Sequence, residues 1–312
     1  MTNGSTDTQR PGPRMVEVAR RILVPAVGLL LAGLIAGCST APSNVVFTLG
    51  TADRNLTYCN SQRLDLYIPH AAVTRPLPLA IYVHGGGMTA GDKSDLNPVF
   101  LDALAPAGYA VASVNYRLAP EFRFPAQIED VKCAVRYLRA RAPMYGLNPS
   151  EIFAFGTSVG GQLVALAALT GPHSAFDVGQ YSMESSGVLA VADMFGPANL
   201  TEGASGFSPS GIQQVFGKKH RQRDLVLASP THYVVASAPP ILLVQGVDDT
   251  KVLESQSVDL YRDLKAAGDP TELALVQNMG HMFVQVGPKP LDPSIRQIAK
   301  DMVLFFDNAR RG

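Results

Sequence analysis

The sequence predicts a single α/β domain built on a mostly parallel sheet, and two features of the chain lead to this prediction. The first is a series of short, continuous apolar runs, which are typical of strands that helices cover on both faces. The second is that segments with helical periodicity lie between these runs, as they do in α/β domains. The predicted buried strands are 79–83, 109–114, 152–155, 188–191, 241–244 and 273–276.

Shorter stretches rich in β-branched and aromatic residues precede the first buried run. They lie at 45–49, 56–58 and 63–68, and Pro69 closes the last of them. Stretches of this kind predict strands. Because the three follow one another directly, we expect the sheet to begin with antiparallel strands.

Helical periodicity is clearest in the middle of the chain and near its end. Ile128, Val131, Val135 and Leu138 recur at a spacing that puts them on one stripe of a helix. A similar repeat covers 295–305, and leucines within 253–264 predict another helix, which Gly268 ends. Ligands of α/β sheets bind at the carboxyl ends of the strands, so functional residues are expected directly after the predicted strands.

The composition excludes several classes of protein. The chain has 312 residues, of which 46% are hydrophobic and 17% are charged, and this balance excludes a disordered or collagen-like chain. Lys plus Arg and Asp plus Glu each number 26, so the basic excess of a typical nucleic-acid binder is missing. Six His and three Cys are too few and too scattered for a zinc module. We expect no metal, no organic cofactor and no nucleic-acid partner.

The first forty residues have the pattern of an export signal. Polar residues with several arginines at 1–21 precede an apolar core at 22–36, which is shorter than the ~20 residues of a membrane-spanning helix. The core ends in Ile-Ala-Gly-Cys at 35–38, which resembles a bacterial lipobox. The alternative is a small-residue cleavage site that happens to contain a cysteine. The resemblance implies a signal peptide at 1–37, a lipid on Cys38, a linker at 38–44 and a protein exported and lipid-anchored to the bacterial cell envelope.

Two cysteines remain in the rest of the chain, Cys59 and Cys133. Export would bring them into an oxidising environment, in which disulfides persist. Two buried free thiols are equally ordinary, because cysteine packs well as a small apolar residue. Both possibilities stay open.

Residues 156–161 read Gly-Thr-Ser-Val-Gly-Gly, between a predicted strand and an apolar helix around 163–169. A G-x-S-x-G pattern in this context is typical of a nucleophile elbow, a tight turn that holds the serine above the sheet. The helix dipole behind it favours developing negative charge. Ser158 is therefore the candidate nucleophile. The alternative is a glycine-rich turn with a serine that caps the helix.

A second glycine-rich segment, His-Gly-Gly-Gly at 84–87, follows the predicted strand 79–83. Glycines allow backbone N–H groups to approach an oxyanion closely, which the cleavage of an ester requires. A flexible loop or a phosphate cradle are the alternatives. A phosphate cradle needs a helix that begins at once with a Lys-Ser/Thr pair, and Met-Thr-Ala-Gly follows instead.

A serine nucleophile needs a base, and the base needs an orienting acid. His281 comes just after the predicted strand 273–276, and Asp248 and Asp249 come just after 241–244. The chain order of serine, acid and histidine fits an elbow of this kind. These positions alone leave the choice between the two aspartates open.

The chain resembles the α/β-hydrolase superfamily, and within it the bacterial serine esterases with an HGGG loop, over roughly 60–308. Further motifs at 115–120, 124–127, 130–136 and 195–197 carry the resemblance, which is strongest to hormone-sensitive-lipase-like and feruloyl-esterase-like lipoproteins. It implies an eight-stranded, mostly parallel sheet with helices on both faces, and a catalytic domain at 45–312. It also implies an oxyanion hole made by Gly86, Gly87 and Val159.

The same resemblance implies an activity. Ser158, His281 and Asp249, with Asp248 as the alternative acid, would hydrolyse short- to medium-chain carboxylic esters through an acyl-enzyme intermediate. The expected partner is a small ester, with membrane contact through the N-terminal lipid only, and 197–238 is expected to form a lid or substrate wall. Other hypotheses are a serine peptidase of the same fold and an inactive hydrolase-like binding lipoprotein.

Four residues depart from the pattern that the resemblance implies. Thr157 stands where one branch has aspartate, Val159 replaces the usual alanine, and Gln245 stands where histidine is frequent. Met88 follows the glycine loop where an aromatic residue is frequent. We expect Val159 and Met88 to alter the wall that faces the substrate.

Overall fold

Eight strands form one sheet in the computed structural model, which describes residues 49–70, 76–203 and 205–312. The order across the sheet is β1-β2-β4-β3-β5-β6-β7-β8. The predicted signal peptide, Cys38 and the linker lie outside the described residues. The strands are β1 (Leu49–Thr57), β2 (Arg63–Pro69), β3 (Leu77–Val83), β4 (Ala110–Val114), β5 (Leu147–Thr157), β6 (Val191–Met194), β7 (Ile241–Gly246) and β8 (Thr271–Val276).

The strand directions agree with the prediction from the sequence. β2 pairs antiparallel with β1 and β4, and every further pair from β4 to β8 is parallel. β3 and β7 are buried along their whole length, as the continuous apolar runs indicate. β8 differs, because it is the last strand of the sheet and several of its residues are partly exposed.

Helices cover both faces of this sheet. The eight α-helices of the described residues are α1 (Pro98–Leu104), α2 (Ala126–Ala140), α3 (Ala142–Tyr145), α4 (Val159–Thr170), α5 (Pro209–Phe216), α6 (Gln222–Leu227), α7 (Glu254–Ala267) and α8 (Ile295–Arg311). Apolar residues of α2, α4 and α7 belong to the core on one face, and those of α1 and α8 to the core on the other. Within the described ranges, no helix has the length and apolarity needed to cross a membrane.

Two predicted strand positions were wrong. Residue 49 and residues 56–57 of the predicted stretches belong to the one strand β1, because its irregular pairing with β2 accommodates the polar residues between them. Residues 45–48 lie outside the described part of the chain. The strand predicted at 188–191 is β6, which begins only at Val191. Asp193 interrupts its apolar run, and a buried carboxyl group gives no apolar signal.

Cys59 and Cys133 form a disulfide, with their Cα atoms 6.2 Å apart. The bond joins the turn between β1 and β2 to the middle of α2, across 74 residues of sequence. Both residues are buried. Of the two possibilities that the sequence left open, the structure therefore contains the bridge.

A buried group of charges fastens the long connection between α4 and β6 to α2. Asp177 binds Lys132 Nζ at 3.0 Å through one carboxylate oxygen and Arg136 Nη1 at 2.7 Å through the other. The side chains of Lys132 and Arg136 are 0% and 1% exposed. Burial alone would raise the pKa of Asp177, but the hydrogen bond from Ser186, the charge and hydrogen bond of Lys132 and the backbone N–H of Ser174 together lower it to about 2. Asp177 therefore balances two cations that water cannot reach.

We expect Asp177→Ala to lower the free energy of unfolding by about 3–5 kcal/mol, because it leaves two buried cations without their counter-ion. Urea denaturation at neutral pH measures this. The matched control is Asp259→Ala, which breaks the exposed pair of Asp259 with Arg262 and should cost at most about 1 kcal/mol. Equal effects of the two variants would contradict the assignment. The difference should shrink as the pH falls from about 4 towards 2, since the unfolded wild type takes up a proton at Asp177 in this range while the folded protein keeps the carboxylate ionised.

Candidate functional site

Ser158 lies in the tight turn between β5 and α4. Its backbone has φ 55° and ψ −127°, a conformation that residues other than glycine rarely adopt. The neighbouring glycines permit the turn, because a β-carbon on Gly156 would lie 2.4 Å from the backbone of Gly160. A β-carbon on Gly160 would lie 2.1 Å from the carbonyl oxygen of Val83. The local sequence thus allows α4 to start directly against the end of β3.

The structure brings the three predicted catalytic candidates together. With its proton on Nδ1, His281 donates a hydrogen bond to Asp249 Oδ2 at 2.7 Å, and its Nε2 lies 3.0 Å from Ser158 Oγ. Asp249 is buried, and Ser158 is 9% exposed. In this arrangement the imidazole can accept the hydroxyl proton while the carboxylate holds its tautomer.

Asp249, rather than the alternative Asp248, is the aspartate in contact with the histidine. The other oxygen of Asp249 accepts hydrogen bonds from the backbone N–H groups of Lys251 and Val252, at 2.8 and 3.1 Å. Asp248 is exposed, and its backbone N–H donates to the carbonyl oxygen of Met279. The turn after β7 therefore points the second of the two carboxylates towards the site.

The side chain of Gln245, in β7, connects this turn to α7 through hydrogen bonds. Its Nε2 donates to the carbonyl oxygen of Val252 at 3.0 Å, and its Oε1 accepts from Ser257 Oγ of α7 at 3.0 Å. Although histidine is frequent here in the family that the sequence resembles, the amide supplies both a donor and an acceptor. This departure leaves the geometry of Asp249 intact.

A short hairpin after β8 carries His281. Gly280 N–H donates to Val284 O at 2.8 Å, and Val286 N–H donates to Asn278 O at 2.8 Å. The ring of Phe195, from the turn after β6, meets the imidazole edge-to-face with 5.2 Å between ring centroids. The hairpin and this aromatic contact fix where the ring of His281 lies.

The loop after β3 places Gly86 and Gly87 beside Ser158, with φ angles of 98° and 64° that favour glycine. His84 shapes the loop: its Nδ1–H donates to Gly85 O at 2.8 Å, and its ring stacks on Tyr116. Burial lowers the pKa of His84, so it is present as the neutral imidazole at neutral pH.

Val159 is the first residue of α4, so its backbone N–H has no acceptor within the helix. It lines the same pocket as the glycine loop. Met88 does not: it is fully buried in the core, and its carbonyl oxygen accepts from Ala119 N–H. The expectation that Met88 alters the wall facing the substrate was wrong, because its side chain packs in the hydrophobic core.

Ser158 and His281 open into a pocket of about 430 Å³. Five segments form its walls: the glycine loop, the nucleophile turn, the stretch after β6 and the two loops that carry Asp249 and His281. Besides the glycine loop, Ser158, Val159 and His281, the lining residues are Gly91, Asp95, Pro197, Ser205, Gly206, Phe207, Lys251, Val252 and Met282. Among the described residues, no group of His, Cys, Asp and Glu has a metal-binding arrangement.

Sequence reasoning missed several of these wall residues individually. Ser205, Gly206 and Phe207 lie in a stretch without periodicity, and Ser205 reaches the site by an isolated bridge to Val252. No local pattern signals such a contact. Phe195 had a signal, since Phe-Gly-Pro directly follows the strand next to the nucleophile strand.

Comparison with known families decides where the chain belongs. A family model described as BD-FAE matches residues 64–264. The chain belongs to this family. The match includes the glycine loop, Ser158 and Asp249.

Several curated proteins are similar to this BD-FAE family member. It is 29% identical over 261 residues to Esterase LipC of Mycobacterium tuberculosis, which covers 80% of this chain and 63% of that protein. It is 31% identical over 221 residues to Esterase LipQ of the same organism, covering 69% and 52%. Ethyl acetate hydrolase of Pseudomonas putida is 28% identical over 218 residues, covering 66% of each. The chain thus spans between about half and two thirds of the length of these relatives.

Solved structures confirm the α/β-hydrolase fold. A truncated carbohydrate esterase from gut microbiota matches with a TM-score of 0.73 and 29% identity, over 88% of this chain and 100% of that one. A hyperthermophilic esterase from the archaeon Pyrobaculum calidifontis matches with a TM-score of 0.68 and 24% identity, over 84% and 87%. The second likeness concerns the fold alone.

Proposed function

We propose that the protein is a serine carboxylesterase that hydrolyses short- to medium-chain carboxylic esters. The observation that carries this proposal is the hydrogen-bonded chain from Ser158 through His281 to Asp249, which opens into a pocket of about 430 Å³. The esterases and ester hydrolases among its relatives support the same reaction class. The glycine loop supports a place in the HGGG branch of serine esterases.

In the first half of the reaction, Ser158 Oγ attacks the ester carbonyl carbon while His281 Nε2 accepts the hydroxyl proton. Asp249 keeps the remaining imidazole proton on Nδ1 and stabilises the imidazolium. The negative charge that forms on the carbonyl oxygen meets the N–H groups of Gly86, Gly87 and Val159. Each such donor typically contributes about 10²–10³-fold to the rate.

In the second half, the imidazolium gives its proton to the departing alcohol, and the acyl group stays on Ser158 as an ester. Water then attacks this acyl-enzyme with His281 as the base, which releases the carboxylic acid and restores the serine hydroxyl. His281 is the general base or the general acid in each of these proton transfers. Pro197 and 205–207, within the predicted lid segment 197–238, would form the wall that selects the substrate.

We also propose that the protein is exported and carries a lipid on Cys38. The lipobox-like residues 35–38 support this, together with the disulfide between Cys59 and Cys133. Disulfides persist in oxidising compartments outside the cytosol. A lipid anchor would hold the pocket near a membrane surface while the substrate remains a small ester.

Ser158→Ala should abolish hydrolysis of p-nitrophenyl butyrate, since it removes the nucleophile. It should also abolish covalent labelling by a fluorophosphonate probe, which is followed by mass spectrometry. The matched control is Ser210→Ala, at an exposed serine on α5, which should keep both signals. Full activity of Ser158→Ala would exclude this mechanism. If the probe labels the wild type but the protein hydrolyses peptides faster than esters, the serine peptidase is favoured instead.

Asp249→Asn should lower kcat by about 10⁴-fold, because the amide favours the wrong imidazole tautomer while the geometry stays the same. The control is the neighbouring Asp248→Asn, which changes an exposed side chain and should leave kcat within about twofold. Steady-state kinetics on p-nitrophenyl butyrate measure both. A large loss in Asp248→Asn alone would assign the acid to the other aspartate.

The acyl range follows from the size of the pocket. Each methylene that the pocket buries contributes about 0.8 kcal/mol, whereas methylenes that stay in water contribute nothing. In a series of p-nitrophenyl esters from acetyl to palmitoyl, kcat/KM should rise at first and then level off at medium chain length, once the pocket is filled. A continued rise up to palmitoyl would show that the site takes long chains.

A further inference from the structure

We propose that Asp193 is a positioning residue for this site: as a neutral carboxyl group, it holds the turn after β6 against the first turn of α4. The turn in question comprises Asp193 to Gly196. It fixes the backbone beside Ser158 and the aromatic ring that contacts His281. The proposal rests on the proposed esterase function, and it assigns a role to a residue outside the chain of catalytic hydrogen bonds.

The carboxyl group of Asp193 packs between the backbone at Gly196 and the first turn of α4 at Gly161. The residue is 1% exposed, and its Oδ1 accepts a hydrogen bond from Gly196 N–H at 2.9 Å. A β-carbon on Gly161 of α4 would lie 2.1 Å from Oδ1, and one on Gly196 would lie 2.3 Å from it. The carboxyl group thus restricts position 161 to glycine, and at position 196 it does so together with the backbone nitrogen of Gln162, which would lie 2.5 Å from the added β-carbon.

The turn that Asp193 closes touches two members of the catalytic chain. The carbonyl oxygen of Met194 accepts from Ser158 N–H at 2.9 Å. Phe195 has φ 49°, a strained conformation for an aromatic residue, and its ring packs on the imidazole of His281. The hydrogen bond from Gly196 to Asp193 spans Phe195 and keeps it in that conformation. Loss of this bond would release both contacts together.

The surroundings of Asp193 favour its neutral form. Its Oδ2 has no hydrogen-bond partner within the described residues, and an unpaired buried carboxylate is costly. Burial raises the pKa of Asp193 to about 7, against the smaller opposing effect of the Gly196 N–H. Its strand partners, Gly156 of β5 and Leu243 of β7, are not titratable, and neither are Gly161 of α4 and Gly196, which approach its carboxyl group.

Titratable groups at the same edge of the sheet include the catalytic Asp249 and His281, His84 of the glycine loop, and Asp95 and Lys251 of the pocket wall. An anionic Asp193 would lie against the first turn of α4, whose N–H groups favour negative charge on the substrate oxygen. Its charge would oppose that of the oxyanion. The neutral form thus supports the turn without this cost.

Asp193→Asn and Asp193→Ala in the full chain test the proposal. The asparagine keeps an acceptor for Gly196 N–H and is neutral at every pH, whereas alanine removes the acceptor. Asp269 offers matched controls, because it is also buried, binds two backbone N–H groups through Oδ1 and has no partner on Oδ2. It lies before β8, at the end of the strand away from His281.

With p-nitrophenyl butyrate at about pH 6, kcat/KM of Asp193→Asn should equal that of the wild type within about twofold. At about pH 9 the wild-type carboxyl group is ionised, so kcat/KM of the variant should be at least about threefold higher. Asp193→Ala should lose at least about tenfold in kcat with KM within about twofold, as displacement of Phe195 disturbs the base rather than binding. Asp269→Asn and Asp269→Ala should keep the wild-type kcat and pH profile. Parallel profiles of Asp193→Asn and the wild type would overturn the proposal.

Thermal unfolding gives a second measurement that does not depend on activity. The folded pKa of Asp193 lies above the 3.8 of an ordinary aspartate, so wild-type stability falls as the pH rises between those two values. The Tm of Asp193→Asn minus the Tm of the wild type should therefore increase from about pH 4 to about pH 7. A difference in Tm that does not change with pH would contradict a neutral Asp193, even if the protein had no esterase activity. Absence of hydrolysis in the wild type would overturn the proposed function alone.

Discussion

The site depends on the backbone of Ser158, which holds an unusual conformation only because its surroundings leave it no other. A residue strained in this way costs about 1–3 kcal/mol. Three contacts keep it in place: the close approach of Gly160 to Val83, the hydrogen bond to Met194, and α4, which begins at the next residue. This backbone conformation directs the hydroxyl group of Ser158 out of the sheet towards His281. Favourable packing around the turn offsets the cost of the strain.

The order of the strands explains why His281 needs so much support. β8, which precedes it, is three strands away from β5, and neighbouring strands lie about 4.8 Å apart. The hairpin after β8 must therefore reach back roughly 14 Å across the ends of β7 and β6. Asp249, from β7, and Phe195, from β6, lie along this path and hold the imidazole on its two sides. Each strand between the base and the nucleophile thus contributes one contact.

The sequence predicted the parts of this site that rest on local patterns. Apolar strands buried on both faces are recognisable one at a time, and Ser158, the glycine loop and His281 each directly follow such a strand. Features that depend on distant contacts were not predictable in this way. The bridge between Cys59 and Cys133, for example, spans 74 residues. The choice between Asp248 and Asp249 is a local matter, but it depends on two backbone hydrogen bonds within the turn, which the residue types do not signal. β6 was misplaced because its buried Asp193 has the signature of a loop residue.

The residues that depart from the family pattern show which positions the chemistry constrains. At 245, the fold needs a buried side chain that both donates to the acid loop and accepts from α7, and glutamine provides this as well as histidine. Glutamine also does so at every pH, whereas a histidine loses this pairing when it is protonated, since both of its nitrogens then donate. At 88, the side chain fills the core, so its identity is set by packing rather than by substrate. Only Val159 departs from the pattern at the pocket itself, and there the backbone N–H, which every residue except proline provides, is the group that the mechanism uses.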